Sequence, residues 1–178
     1  AADLGDKRGQ KLYNDLKEMT PERREVMNTS VNTLADQLAN FANDQPLDTS
    51  ALESVLKMGA DSGSVEGMIG YAKYLNNNGN NDESTRYFKM AADNGSAEGM
   101  WQYAVRLHLG IGTPVDLNQA CNYFRMATEK GNLSACNAYG MMLEKGIGIQ
   151  ANKEEAVKYY KMAIDKGDTR SMYNYGRI

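Results

Sequence analysis

The side chains best equipped for chemistry are two cysteines, one histidine and the glycines of two short loops, and their spacing decides what each can do. Cys121 and Cys136 offer thiolates for nucleophilic attack, metal binding or a disulfide. Read on the helical register derived below, Cys121 lies ten residues before the turn glycine Gly131 and Cys136 five after it. That offsets them by roughly 7 Å along antiparallel helices rising about 1.5 Å per residue. An interhelix gap of roughly 8 to 10 Å then carries the Cα atoms beyond the ~7 Å limit for bridging, so both are expected as free thiols. Cys136 shares its register position with Met68 and Met100, which reads as a small buried hydrophobe rather than a reactive or metal-binding group. His108 is the only histidine and stands at a helix exit where other copies carry Asn76 and Glu144. Without a second imidazole or paired cysteines there is no zinc set, and no spacing brings it to a cysteine or serine as a base; a surface polar residue is expected. Gly110-x-Gly112 and Gly146-x-Gly148 lack the preceding strand and third glycine of a dinucleotide fingerprint. They read as turn glycines whose Ile111 and Ile147 tuck against the hairpin. Glu154-Glu155 and Asp82-Glu83 fall in first helical turns, where the helix dipole favours acid without any catalytic role. These readings name no catalytic, cofactor-binding or metal-binding residues and no cofactor, and they describe a chain that is not an enzyme.

Composition points the same way. The net charge of -3 and pI of about 5.3 provide no long-range attraction for nucleic acid or an anionic membrane, which leaves protein or peptide as the expected partner. No stretch approaches the roughly 18 uninterrupted apolar residues of a membrane span, and Ala1-Ala2-Asp3-Leu4-Gly5 lacks a signal peptide's charged and apolar regions. The chain starts without Met and stops at Arg177-Ile178 inside a repeating unit, which suggests a fragment or processed product. Unpaired cysteines favour a cytoplasmic location.

The elements that position these residues repeat. Lys57-Met58-Gly59-Ala60-Asp61-Ser62-Gly63 returns as KMAADNG from Lys89, RMATEKG from Arg125 and KMAIDKG from Lys161, with closing glycines 32, 36 and 36 residues apart. After each glycine comes a cap residue (Ser64, Ser96, Asn132, Asp168) whose oxygen can accept from the orphan amides of a first helical turn. Met68, Met100, Cys136 and Met172 are each followed three residues later by Tyr71, Tyr103, Tyr139 and Tyr175, and then by a small residue, Ala72, Ala104, Gly140 or Gly176. Leu75, Leu107 and Leu143 follow four residues after the tyrosine, so spacings of three, four and seven define one face of an amphipathic helix. A second helix carries Tyr87-Phe88, Tyr123-Phe124 and Tyr159-Tyr160 three and four residues before Ala91, Ala127 and Ala163. Small residues opposite aromatic ones let two helices interlock as a hairpin, and each closing glycine suits the left-handed position past the second helix. Met58, Met90, Met126 and Met162 recur in this register and are expected in the core.

Residues 1–63 are less regular. Val31, Leu34-Ala35 and Leu38 reproduce the spacing of Met68, Tyr71-Ala72 and Leu75, and Ala51 to Gly63 supplies a second helix with its glycine. The expected organisation is an N-terminal helix or cap at 1–26 and a degenerate repeat at 27–63. Repeats follow at 64–95, 96–131, 132–167 and, in part, 168–178, the whole forming one continuous solenoid domain.

The tyrosine-small-leucine pattern, the Gly-Ile-Gly loop, Gln119-Ala120 or Glu155-Ala156 before the aromatic pair and the closing Ala-x-x-x-Gly together resemble the Sel-1-like repeat. That family is a branch of the tetratricopeptide superfamily, and the resemblance covers residues 64–178. It implies an all-α fold, a right-handed α–α superhelix of antiparallel hairpins, working as a protein–protein interaction scaffold or adaptor. In the tetratricopeptide relatives the first helix of each hairpin lines a concave groove. Carried onto this register, the groove residues are Glu66, Ile69 and Lys73; Glu98, Trp101 and Val105; Ser134, Asn137 and Met141; and Arg170 and Tyr173. An aromatic anchor at Trp101 among apolar neighbours with charges at the edge suits a bound peptide, unless adjacent repeats cover the same face by stacking. Two further readings stay open: self-association through an apolar edge at the C-terminal helix, and a small hydrolase, for which the residues show no nucleophile and base.

Overall fold

The computed structural model describes residues 49–178. The expected cap at 1–26 and the first part of the degenerate repeat, including Val31, Leu34 and Leu38, lie outside the described residues. The chain divides into two compact units, Ala1–Gly70 and Tyr71–Ile178.

Eight helices and no strand occur among the described residues. They are α1 (Thr49–Asp61), α2 (Val65–Asn77), α3 (Asn81–Asp93), α4 (Ala97–Leu109), α5 (Leu117–Glu129), α6 (Leu133–Lys145), α7 (Lys153–Asp165) and α8 (Thr169–Gly176). The even-numbered helices are the first helices of the repeats. Ser96, Asn132 and Asp168 cap α4, α6 and α8 by accepting from the amides of Gly99, Ala135 and Ser171, and Ser64 accepts from Gly67 N–H at 3.1 Å. Gly63, Gly95, Gly131 and Gly167 hold φ between 85° and 90°, a conformation that a side chain would strain, and so turn each second helix into the next cap.

In the first unit α1 and α2 approach so closely at Gly59 and Gly67 that a Cβ on Gly67 would collide with the Gly59 backbone. In the second unit neighbouring helices pack pairwise along the sequence. The core is the expected stripe: Ala72, Leu75, Tyr87, Phe88, Ala91, Met100, Tyr103, Ala104, Leu107, Phe124, Ala127, Tyr139, Leu143, Tyr160 and Ala163 are all buried. Three edge-to-face tyrosine pairs bind first helix to second: Tyr71 with Tyr87 and Tyr103 with Tyr123, both at 4.9 Å between centroids, and Tyr139 with Tyr159 at 4.8 Å.

Two expectations are corrected. Met58, Met90 and Met162 are exposed at 39%, 37% and 37%, and Met126 is half-buried. At about 100° per residue, Met90 sits well round the helix from the Ser84-Phe88-Ala92 stripe and only flanks Ala91. His108 is half-buried rather than a surface residue, and its Nδ1 is sealed from solvent without a hydrogen-bond partner. Glu144, at the same helix end in the next copy, is also half-buried, whereas Asn76 in the copy before is exposed.

Candidate protein-binding face

Within Tyr71–Ile178 the first helices place the sequence-derived groove residues on successive copies of one register. Trp101, Val105 and Met141 are half-buried, and Tyr173 is exposed at 74%. Lys73 Nζ lies 3.6 Å from Glu98 Oε1 across adjacent copies, and Gln102 Nε2 donates to the same oxygen at 3.0 Å. Both groups of the ion pair are well exposed, so it orients side chains more than it stabilises. Glu66 and Ile69 hold the matching positions in the other unit, exposed and half-buried respectively, with Ser64 Oγ donating to Glu66 at 3.2 Å.

Asn137 and Ser134 are already engaged. Asn174 Nδ2 donates to Asn137 Oδ1 at 2.8 Å, Ser171 Oγ lies 3.1 Å from the same atom, and Arg170 donates to Ser134 Oγ at 3.1 Å. These bonds tie α8 to α6 and leave Trp101, Val105, Met141 and Tyr173 as the apolar residues with area to offer. Arg170 also reaches Asp168, the cap of α8. Burial alone would raise the Asp168 carboxyl, but the hydrogen bonds from Ser171 and Arg170 outweigh it and hold it below the usual range.

The cysteines do not meet as a bridge: both are buried and free. Burial raises both thiols, Cys136 to about 11, and Cys136 donates weakly to the Tyr159 carbonyl at 3.2 Å. Thiols held protonated in this way are packing groups at neutral pH. In the Gly-x-Gly loops the amides of Gly110 and Ile111 donate to Arg106 O, and those of Gly146 and Ile147 to Met142 O. A side chain on Gly112 would strike the Asn81 carbonyl and one on Gly148 the Leu117 carbonyl, so each loop lies on the start of the second helix of the copy before it. Thr85 Oγ1 donates to Ile111 O at 2.8 Å in the same contact. No group of histidine, cysteine and acidic side chains among the described residues is arranged to hold a metal ion, and no helix there is long and apolar enough to cross a membrane.

Sequence reasoning missed Arg106, which is 5% exposed. Its guanidinium lies 4.1 Å from the Phe88 ring centroid and donates to Asn76 Oδ1 at 2.9 Å, Ser84 Oγ at 3.3 Å and Gln102 Oε1 at 3.2 Å. It forms no ion pair, its Nε has no hydrogen-bond partner, and burial lowers its pKa. The signal was present, since Arg106 stands where the neighbouring copies have Tyr74 and Met142. A second unforeseen cluster joins Glu144 to the Tyr160 hydroxyl at 2.9 Å and to Arg177 at 2.9 Å.

Comparison with known proteins accounts for the repeat. The Sel1 repeat matches at residues 65–96, 97–132 and 133–168, more than half of the chain. No curated protein is significantly similar in sequence. Among solved structures, a Sel1 repeat protein from Oxalobacter formigenes is 28% identical with a TM-score of 0.64, over 69% of this chain and 96% of that one. A protective antigen of uropathogenic Escherichia coli strains displaying an SLR fold superposes with a TM-score of 0.75 at 21% identity. It covers 85% of this chain, which in turn spans 33% of the antigen. Helicobacter pylori cysteine rich protein B reaches 0.56 at 23% identity, over 67% of this chain and 94% of that one. The last two likenesses concern fold alone, an all-α solenoid of helical hairpins. Proteins of Sel1 repeats are generally interaction scaffolds without catalytic activity. By its three matched repeats, the chain belongs to the Sel1 repeat family.

Proposed function

We propose that the chain is a non-catalytic adaptor that holds a protein segment on the face built by its first helices. The observation that carries this reading is Trp101. It is the only tryptophan, it sits one residue beyond the buried Met100, and it remains half-buried in a chain whose other recurrent aromatic positions are largely closed. Val105 and Met141 extend the apolar surface, Tyr173 adds an exposed ring, and Lys73 with Glu98 supplies a polar border. An aromatic anchor in an apolar patch with a charged rim is the composition that concentrates binding energy in a few residues. Arg170 occupies the same register and would add a contact, while Asn137 holds α8 in place.

The test is affinity capture from the source cell's lysate with wild type and with a folded Trp101→Ala, Tyr173→Ala variant, read by mass spectrometry. Loss of a partner only in the variant supports the reading and identifies the segment. Survival of the same partners moves binding to another surface. Sustained turnover of a substrate panel by pure protein would overturn the non-catalytic part.

A further inference from the structure

Charge is unevenly shared between the two kinds of helix. Among the helices of Tyr71–Ile178 the only carboxylates on first helices are Glu98 and Glu144, and the Glu144 side chain is 11% exposed. Glu98 is already held, by Lys73 Nζ at 3.6 Å and Gln102 Nε2 at 3.0 Å. In a chain of net charge -3, the carboxylates stand mainly on the second helices, where they also satisfy the cations: Lys89 pairs with Asp93 and Arg125 with Glu129.

The cations of the first helices frame an apolar centre. Lys73, Val105 and Met141 share one register position on successive first helices. Leu109 and Lys145 share another, four residues further on and so on the same side of the helix. Leu109 is exposed at 59%, although Asn77 and Lys145 hold its place in the flanking copies. Lys145 is exposed and has no ion-pair partner among the described residues. Across these three copies the face therefore runs from Lys73, through Trp101, Val105, Leu109 and Met141, to Lys145.

We propose that this face takes an acidic protein segment in extended form, with one large apolar residue flanked on both sides by carboxylates. The proposal rests on the adaptor reading and adds the chemistry of its partner. Lys73 and Lys145 stand two first helices apart, roughly 20 Å at about 10 Å per helix, which sets the carboxylates about six residues apart along an extended chain. The apolar residue packs among Trp101, Val105, Leu109 and Met141. One carboxylate meets Lys145, and the other takes over Lys73, leaving Glu98 to Gln102. That exchange costs little, because the Lys73–Glu98 pair is exposed. The other anionic occupant, a nucleic acid, suits the face less well: the aliphatic side chains between the cations offer a sugar-phosphate chain nothing, and phosphate binding draws on many cations.

The test is selection from a random peptide library displayed on phage, with the full chain as bait and the selected peptides then titrated by fluorescence anisotropy. The selected peptides are expected to carry Asp or Glu on both sides of a large apolar residue. Their binding should weaken about tenfold in a Lys73→Gln, Lys145→Gln variant and in about 0.5 M salt. It should be lost in Trp101→Ala and change less than about twofold in Lys130→Gln, Lys158→Gln, which removes equal charge beside the second helices. All four lysines are exposed, so these substitutions leave the core as it is. Selected peptides without an acidic bias that still depend on Trp101 overturn the proposal and leave the adaptor reading standing. Peptides indifferent to Trp101→Ala overturn both. Equal weakening by the Lys130, Lys158 variant would reduce the effect to net charge and overturn the proposal, as would the selection of no peptide. Tighter, Lys145-dependent binding of a single-stranded oligonucleotide would give the face to nucleic acid and equally overturn it.

Discussion

Two successive copies, 96–131 and 132–167, build the same hairpin and fill one of its buried positions in opposite ways. In α4 the residue before the recurring leucine is Arg106, bonded to four neutral oxygens and lying over Phe88; in α6 it is Met142, apolar and 2% exposed. In these two copies the position is buried, and its polarity is left to whatever neighbours can satisfy it. A buried cation with only neutral acceptors has already lost its hydration without gaining an ion pair, so its net worth is small while its removal is costly.

The largest test of that contrast is Arg106→Ala. It leaves Asn76 and Ser84 without their donor and opens a cavity against Phe88, and should cost about 3 kcal/mol by chemical denaturation. Gly140→Ala comes next, at about 2 kcal/mol, because the new methyl group overlaps Tyr160 and the ring cannot retreat without losing its bond to Glu144. Gly176→Ala makes the same chemical change in open space and should leave the melting temperature the same or slightly higher. Arg106→Met, which writes the α6 solution into α4, should shift stability by no more than about 1 kcal/mol in either direction. A loss as large as that of Arg106→Ala would mean the guanidinium bonds contribute strongly, and would break the comparison.

The smallest effect concerns the thiols, one in each copy. Cys136 holds its proton to about pH 11 in the folded chain, against an ordinary value near 9. Its contribution to stability is fully present below about pH 9 and is lost as pH rises towards 11, so alkaline melts should fall in that window and Cys136→Ala should flatten them. Native protein at pH 8 should be alkylated by iodoacetamide far more slowly than unfolded protein.

Much of this architecture was legible in the sequence because capping and turning are local. Ser96, Asn132 and Asp168 cap the amides three residues on, and the closing glycines need only their own φ. The tyrosine-small-leucine face followed from period alone. Recurrence failed as a guide to burial at Met58, Met90, Met126 and Met162, which repeat because they flank the stripe rather than because they fill it. Arg106 escaped notice because Asn76 and Ser84 come from 30 and 22 residues away. Asn137 was assigned to a groove by register, while its bonds to α8 depend on how successive copies lean together. Trp101, expected to be partly off the hairpin core, is half-buried.

The Gly-Ile-Gly loops reach backwards. Gly112 lies against Asn81 and Gly148 against Leu117, so each copy signs off the one made before it rather than the one to come. An array assembled this way has a grain. Copies exchanged or inserted by recombination must keep glycine where the loop meets the foregoing helix, whereas exposed Pro114 and Gln150 beside them are free to drift. Within each loop, a library of variants should tolerate the fewest substitutions at Gly112 and Gly148, where any side chain would strike the foregoing helix.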